Sequence, residues 1–250
     1  MPFDILSPEM AICFFTLLCA YLVFGMAGFG SALVATPVLA MYLPLNMIVP
    51  TLALIDLTAA LINLVKDGKN ADYHEIKWII PLMIVGSLIG AAILLKTRPD
   101  ILILLLGIFV IFYVLNTFFS KKAQPHLSKA FVVPFSLIGG VFSALFGSGG
   151  FIYAMYLSSR IADKQRFRIT QMTLIGFSTL TRVIIFLVMG VYVNMDIILM
   201  ALAFSPAMLI GIWVGRHITL KISRDTFLKI INIIILISGV ALLYRYFFIL

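Results

Sequence analysis

Among the 18 basic and 10 acidic residues of this chain, only Asp56 and Arg182 stand deep inside long apolar runs. Chemistry can start from those two. A charge at the centre of a bilayer costs about 3 kcal/mol on insertion scales, so it normally faces a pathway or a partner. Arg182 is about nine residues or more from either end of its run, too far for its head group to reach the interface. Its planar fork suits two oxygens of a carboxylate, sulfite or sulfonate. Asp56 is the one membrane-depth carboxylate able to carry a proton. The two charges could also form a buried structural ion pair, and the sequence leaves both readings open.

Glycine clusters give the second chemical signal: Gly25, Gly28 and Gly30 in one apolar run, and Gly147, Gly149 and Gly150 in another. A helix interrupted inside a membrane frees backbone N–H groups, and an anion can bind at the resulting half-helix N-terminus. The competing reading is close helix packing through small residues. The expected anion site is Arg182, Gly28, Gly30, Ser31, Gly147, Ser148, Gly149, Gly150 and Ser178, with the Ser143 hydroxyl beside it. Thr51, Asn63, Gln171 and Thr173 either line the pathway or bond to carbonyls of their own helices. His74, His126 and His217 fall in loops or at a helix end, with no metal-ligand spacing, so no cofactor is expected. Gly147-Ser148-Gly149 resembles the surroundings of a serine nucleophile, but no histidine lies deep in any run to serve as its base.

These residues must be positioned by membrane helices. The chain is 63% hydrophobic and 11% charged, against about 25% charged in soluble domains. Its apolar runs approach the roughly 20 residues needed to cross a bilayer. The expected fold is all-α and integral to the membrane, with about eight segments: 10–43, 47–66, 77–96, 101–119, 130–158, 169–191, 196–217 and 226–249. The first and fifth carry the glycine clusters. Each reads as a broken helix, or as a helix followed by a re-entrant half-helix. Asp4 and Glu9 precede the first run without a basic region, so it reads as a retained helix. Cys13 and Cys19 lie in it as inert packing residues. The net charge of +8 sits in short loops and orients helices, so nucleic acid is not an expected partner.

The eight segments read as two four-segment repeats, 1–120 and 121–250. Residues 81–100 laid on 206–225 share eight identities in twenty, including Pro81/Pro206, Gly86/Gly211, Gly90/Gly215, Lys96/Lys221 and Asp100/Asp225. Small residues four apart mark close helix packing. A shift of 119 lays Gly28–Ser31 on Gly147–Gly150, and a shift of 122 puts Asp56 and Arg182 one turn apart in equivalent helices. The basic stretches 159–168 and 216–229 are expected in the cytoplasm. With eight crossings, both termini and the 66–77 loop fall outside, and so does the basic Lys121, Lys122 and Lys129 loop, against the rule.

Two halves that each open on a glycine-broken G-x-G-[GS] segment, here Gly28 to Ser31 and Gly147 to Gly150, resemble the TauE/SafE family of sulfite and organosulfur anion exporters. The resemblance covers nearly the whole chain. Pro37 follows the first glycines at the family's spacing, while Tyr156 stands at that position in the second half. An arginine in the sixth segment, here Arg182, is also similar to the family's pattern. The resemblance implies a transporter in the cytoplasmic membrane, not an enzyme, whose partners are a small anion and the lipid bilayer. A channel or a non-transporting scaffold is the alternative, and a homo-oligomer is left open.

Overall fold

The computed structural model describes residues 8–27, 30–67, 71–119, 127–217 and 224–248. Ten α-helices occupy them: α1 Pro8–Ala27, α2 Ser31–Leu39, α3 Leu45–Asp67, α4 Tyr73–Lys96, α5 Pro99–Phe119, α6 Val132–Phe146, α7 Gly149–Arg160, α8 Lys164–Val188, α9 Met195–His217 and α10 Arg224–Phe248. Local chemistry starts several of them. Asp72 accepts hydrogen bonds from the N–H groups of His74 and Glu75 and so caps α4. Asp163 does the same for α8 through Arg166 N–H at 2.7 Å. Such caps satisfy donors that have no partner within the helix.

Six of the helices are long and apolar enough to cross a membrane, and Leu45–Leu61 and Ile235–Phe248 are shorter apolar stretches. Large apolar side chains cover the outside as well as the inside: Phe15, Phe112 and Trp213 are each more than 60% exposed. Only lipid can solvate such a surface without cost, and the chain is a multi-pass membrane protein.

Two helix pairs run side by side in parallel. In one, Gly86 of α4 faces Leu137 and Gly140 of α6, and Gly90 faces Val141 and Ala144. In the other, Gly211 of α9 faces Leu18 and Tyr21 of α1, and Gly215 faces Leu22 and Gly25. A methyl group at Gly211 would stand 2.7 Å from the Leu18 carbonyl oxygen, so these seams close only with glycine. The glycines shared between 81–100 and 206–225 are thus the ones on which both seams depend. Across the centre α5 lies antiparallel to α10, with Gly107 against Leu243 and Gly239 against Val110, and α3 lies against α8.

The stretch 130–158 folds back on itself. The Tyr153 ring of α7 lies on Gly139 of α6, the rings of Phe135 and Tyr156 are 6.2 Å apart, and Arg160 Nη1 donates to Leu127 O at 3.3 Å. The outer ends of α6 and α7 therefore share one face. At the opposite face, Arg245 near the end of α10 donates to Ala40 O and Met41 O, just past α2. There Tyr192 also donates to Pro50 O, bringing the α8–α9 turn to the start of α3. Since α1 runs parallel to α9, the α1–α2 pair enters from that opposite face. The inner helices have nine and twelve residues, about 14 and 18 Å at 1.5 Å per residue, roughly half of a 30 Å hydrocarbon core.

One expectation needs correction. Eight crossings place 66–77 and 159–168 on opposite sides, yet the two stretches touch. Glu75 Oε1 accepts from Arg160 Nε and Nη2 at 3.3 and 3.2 Å, Arg166 Nη2 is 3.1 Å from Asp72 Oδ2, and Asp72 N donates to Thr170 Oγ1. The physical reason is the hairpin, which returns the chain to the face it left. Tyr156, which stands where the first half has Pro37, donates to Glu75 Oε2 at 2.9 Å. That residue thereby joins the cluster that ties α7 to α4.

Candidate functional site

The start of α2 meets the turn that joins α6 to α7. Gly30 precedes α2 at φ 97° and Gly147 ends α6 at φ 71°, left-handed conformations open to glycine. The shift of 119 matches Gly30 to Gly149, but the left-handed residues, Gly30 and Gly147, lie 117 apart, and Ser148 stands between Gly147 and the start of α7. A methyl at Gly147 would lie 2.6 Å from Ala32 Cβ and 3.0 Å from Arg182 Nη1. Thr36 Oγ1 of α2 donates to Phe146 O at 3.1 Å, holding the tips together. Neither the start of α2 nor that of α7 has a side-chain cap. Among the described residues no side chain therefore takes their first N–H groups, which a helix leaves without an internal partner.

Arg182 and Asp56 lie beside these tips, 2% and 6% exposed. Asp56 Oδ1 accepts from Tyr21 and from Ser31, each at 2.8 Å, and Oδ2 lies 3.5 Å from Arg182 Nη2. That separation is long for a charge-assisted contact, which closes to about 2.7–2.9 Å when strong. Arg182 also donates through Nη1 to Ser143 O at 3.3 Å and through Nη2 to Thr179 Oγ1 at 3.2 Å, while its Nε has no hydrogen-bond partner among the described residues. A guanidinium offers five donors, and here its three contacts are long and Nε is spare. The Ser143 and Ser178 hydroxyls bond to each other at 2.7 Å.

A cavity of about 210 Å³ opens at this point, lined by Gly30, Ser31, Asp56, Ser143, Gly147, Ser148, Gly150, Ser178, Thr179 and Arg182 together with apolar side chains. Other expected residues lie elsewhere. Thr51 Oγ1 reaches Ile197 O at 3.5 Å, between α3 and α9. Gln171 Nε2 donates to Gly150 O at 2.6 Å and supports α7 from behind, where Gly149 is packed on Gly139 and Ser143. Thr173 is buried in α8 outside the cavity lining. Gly28 and the side chain of Asn63 lie outside the described residues.

Sequence reasoning missed Tyr21, Thr179, Asn232 and the apolar walls of Val23, Phe24, Tyr113, Phe151, Ile175 and Ile235. Tyr21 was the findable one, a lone phenol in an apolar run just ahead of the glycines. The walls carry no signal in a chain with so many apolar residues. Among the described residues no group of three or more His, Cys, Asp or Glu could hold a metal ion.

The arrangement can present a buried guanidinium and two helix N-termini to one negatively charged group. Comparison with family models matches residues 13–242 to the family described as sulfite exporter TauE/SafE. No curated protein and no solved structure matches the chain.

Proposed function

The chain belongs to the sulfite exporter TauE/SafE family, and from that premise we propose that it carries a small anion, sulfite or an organic sulfonate or carboxylate, outward across the cytoplasmic membrane. The observation that carries the reading is Arg182: fully buried, loosely paired and with a spare Nε, at the point where two uncapped helix starts converge. A buried cation with unused donors is costly unless something else accepts from them. An oxyanion fits that need, since it accepts from a guanidinium fork and from helix N-termini alike. Ser31, Gly30, Gly147, Ser148 and Gly150 form the cradle in this reading, Ser178 orients Ser143, and Asp56 holds Arg182 between substrates.

The eight segments then form two repeats, 1–120 and 121–250. Each consists of a re-entrant hairpin followed by three crossings, α3 to α5 in one and α8 to α10 in the other. Three crossings per half make the repeats inverted, the arrangement in which substrate sites sit at the midplane between the halves. The corrected face assignment supports it. The helix ends at the Glu75–Arg160 face carry Lys66, Lys77, Lys129, Arg160, Lys164, Arg166, Arg168, Arg216 and Arg224, whereas the described residues at the opposite face have Lys96, Arg98 and Arg245. Lys129, just ahead of α6, lies on the same face as those other basic helix ends. By the positive-inside rule that face is cytoplasmic and both termini are outside. An inside-negative potential favours outward movement of a monoanion by about 2.3 kcal/mol per 100 mV.

Purified protein in liposomes loaded with radiolabelled sulfite or sulfonate tests this. A carrier gives saturable flux that unlabelled anion on the far side accelerates by exchange. Flux that never saturates would indicate a channel, and no flux above protein-free liposomes would indicate a scaffold.

A further inference from the structure

The charged groups of the central cavity and the hydroxyls beside them form one connected cluster. Asp56 is bonded to Tyr21, Ser31 and Arg182, Arg182 to Ser143 O and Thr179, and Ser143 to Ser178. Much of the remaining lining is apolar: Val23, Phe24, Leu33, Phe151, Ile175 and Ile235. Outside the cluster the polar side chains of the lining are Ser148 and Thr117, whose hydroxyls are given to Phe146 O and to Tyr113 O, with Tyr113 and Asn232. An inorganic oxyanion does not suit such a space. Its oxygens point in all directions, and those turned away from the cluster would lose water against carbon without gaining donors. The volume of about 210 Å³ is also many times what one water needs, about 15 Å³ by this measure, and a four-atom oxyanion would leave most of it empty.

We propose that the anion this cavity takes is an organic sulfonate or carboxylate with a short apolar body, its charged head on Arg182 and the two helix starts and its carbon chain along Phe24, Ile175, Ile235 and Phe151. The proposal rests on the anion-carrier reading and sharpens its substrate class. An organic anion gathers its oxygens at one end, which matches donors gathered on one side. Phe151 sets the chain length. It is the third residue of α7, its ring meets Tyr113 edge-on at 4.5 Å, and its far side lines a second, wholly apolar groove with Phe109, Phe112, Pro134 and Ile138. Removing that ring would join the two spaces.

The test is binding of linear alkanesulfonates and alkanecarboxylates from one to eight carbons, with sulfite alongside, to the detergent-purified full chain by calorimetry. Affinity rises about fourfold per methylene, the equivalent of 0.8 kcal/mol, until the chain meets Phe151, and then falls. Sulfite binds more weakly than the best chain by at least tenfold. Phe151→Ala moves the optimum to longer chains, and Ile235→Phe, which fills part of the same cavity, moves it to shorter ones, so either variant decides if the other fails to fold. Comparing the two head groups at equal chain length tells which the cluster prefers. Sulfite binding as tightly as every organic anion, with flat chain-length profiles in wild type and variant, would overturn the apolar-body proposal and leave the anion site standing. No binding by any anion would overturn the carrier reading itself.

Discussion

Asp56→Asn is the most informative single substitution, because it has two effects of opposite sign. Asparagine keeps the shape and one acceptor oxygen for Tyr21 and Ser31, which donate to Oδ1 at 2.8 Å, but removes the charge facing Arg182 at 3.5 Å. Without a ligand, Arg182 becomes an uncompensated buried cation, and breaking one side of such a pair costs about 3–5 kcal/mol. With a ligand the sign reverses. In the wild type a bound anion shares the guanidinium with the Asp56 carboxylate. Two like unit charges about 6 Å apart repel by about 3 kcal/mol at an effective dielectric constant of 20. Removing that repulsion strengthens anion binding by up to about a hundredfold, since 1.4 kcal/mol is tenfold. The assay is the thermal midpoint of purified protein titrated with the best-binding anion, where a ligand at a hundred times its Kd adds about 2.7 kcal/mol. Asp56→Asn is expected to start below wild type, to recover most of the gap at saturation, and to half-saturate at lower concentration. An unchanged or raised half-saturating concentration would refute the reasoning, because it would mean that Asp56 does not compete with the anion for Arg182.

Other substitutions separate backbone from contact effects. Gly147→Ala adds a methyl 2.6 Å from Ala32 Cβ at a left-handed residue, whereas Gly30→Ala meets nothing within 4 Å. Gly30→Ala should therefore cost only the conformational penalty, about 1–2 kcal/mol, and Gly147→Ala clearly more, in thermal midpoint at equal detergent; equal losses would mean the tips do not touch. At the face where α4 meets α7, Glu75→Gln leaves Arg160 without its carboxylate and should lower the midpoint, while Glu75→Gln with Arg160→Met should restore part of it. A double variant no better than the single one would show that Arg160 is satisfied elsewhere. Arg182→Lys keeps a charge but not the fork, so it should retain weak anion stabilisation that Arg182→Ala loses entirely; identical responses would deny the fork a role.

Much of this was legible because membrane burial makes some residues conspicuous. Asp56 and Arg182 announced themselves through the cost of a charge in lipid, and the structure sets them 3.5 Å apart. The paired Gly86/Gly211 and Gly90/Gly215 pointed to close seams, although nothing in their spacing says that α4 meets α6 and α1 meets α9. The direction of the chain after Ser148 was not legible. Hydropathy measures length and composition, and a hairpin of fifteen and twelve residues scores like one long broken crossing. Its direction is set by contacts distant in sequence, such as Arg160 with Glu75 and with Leu127 O. Lys129, on the side against the rule when eight crossings are counted, was the trace that the hairpin left in the sequence. Gln171 and Thr51 were polar and buried as expected of lining residues, but buried polar groups more often satisfy neighbouring backbone, and theirs do so.

The central claim is that an anion binds where the two hairpin tips meet Arg182. Diffraction from crystals grown with bromoethanesulfonate, whose bromine locates the molecule by anomalous scattering, tests it most directly. The account predicts a bromine peak in the central cavity with the sulfonate oxygens within hydrogen-bond reach of Arg182 and of the N–H groups that begin α2 and α7. A sulfonate bound elsewhere, with Arg182 still turned to Asp56, would contradict it.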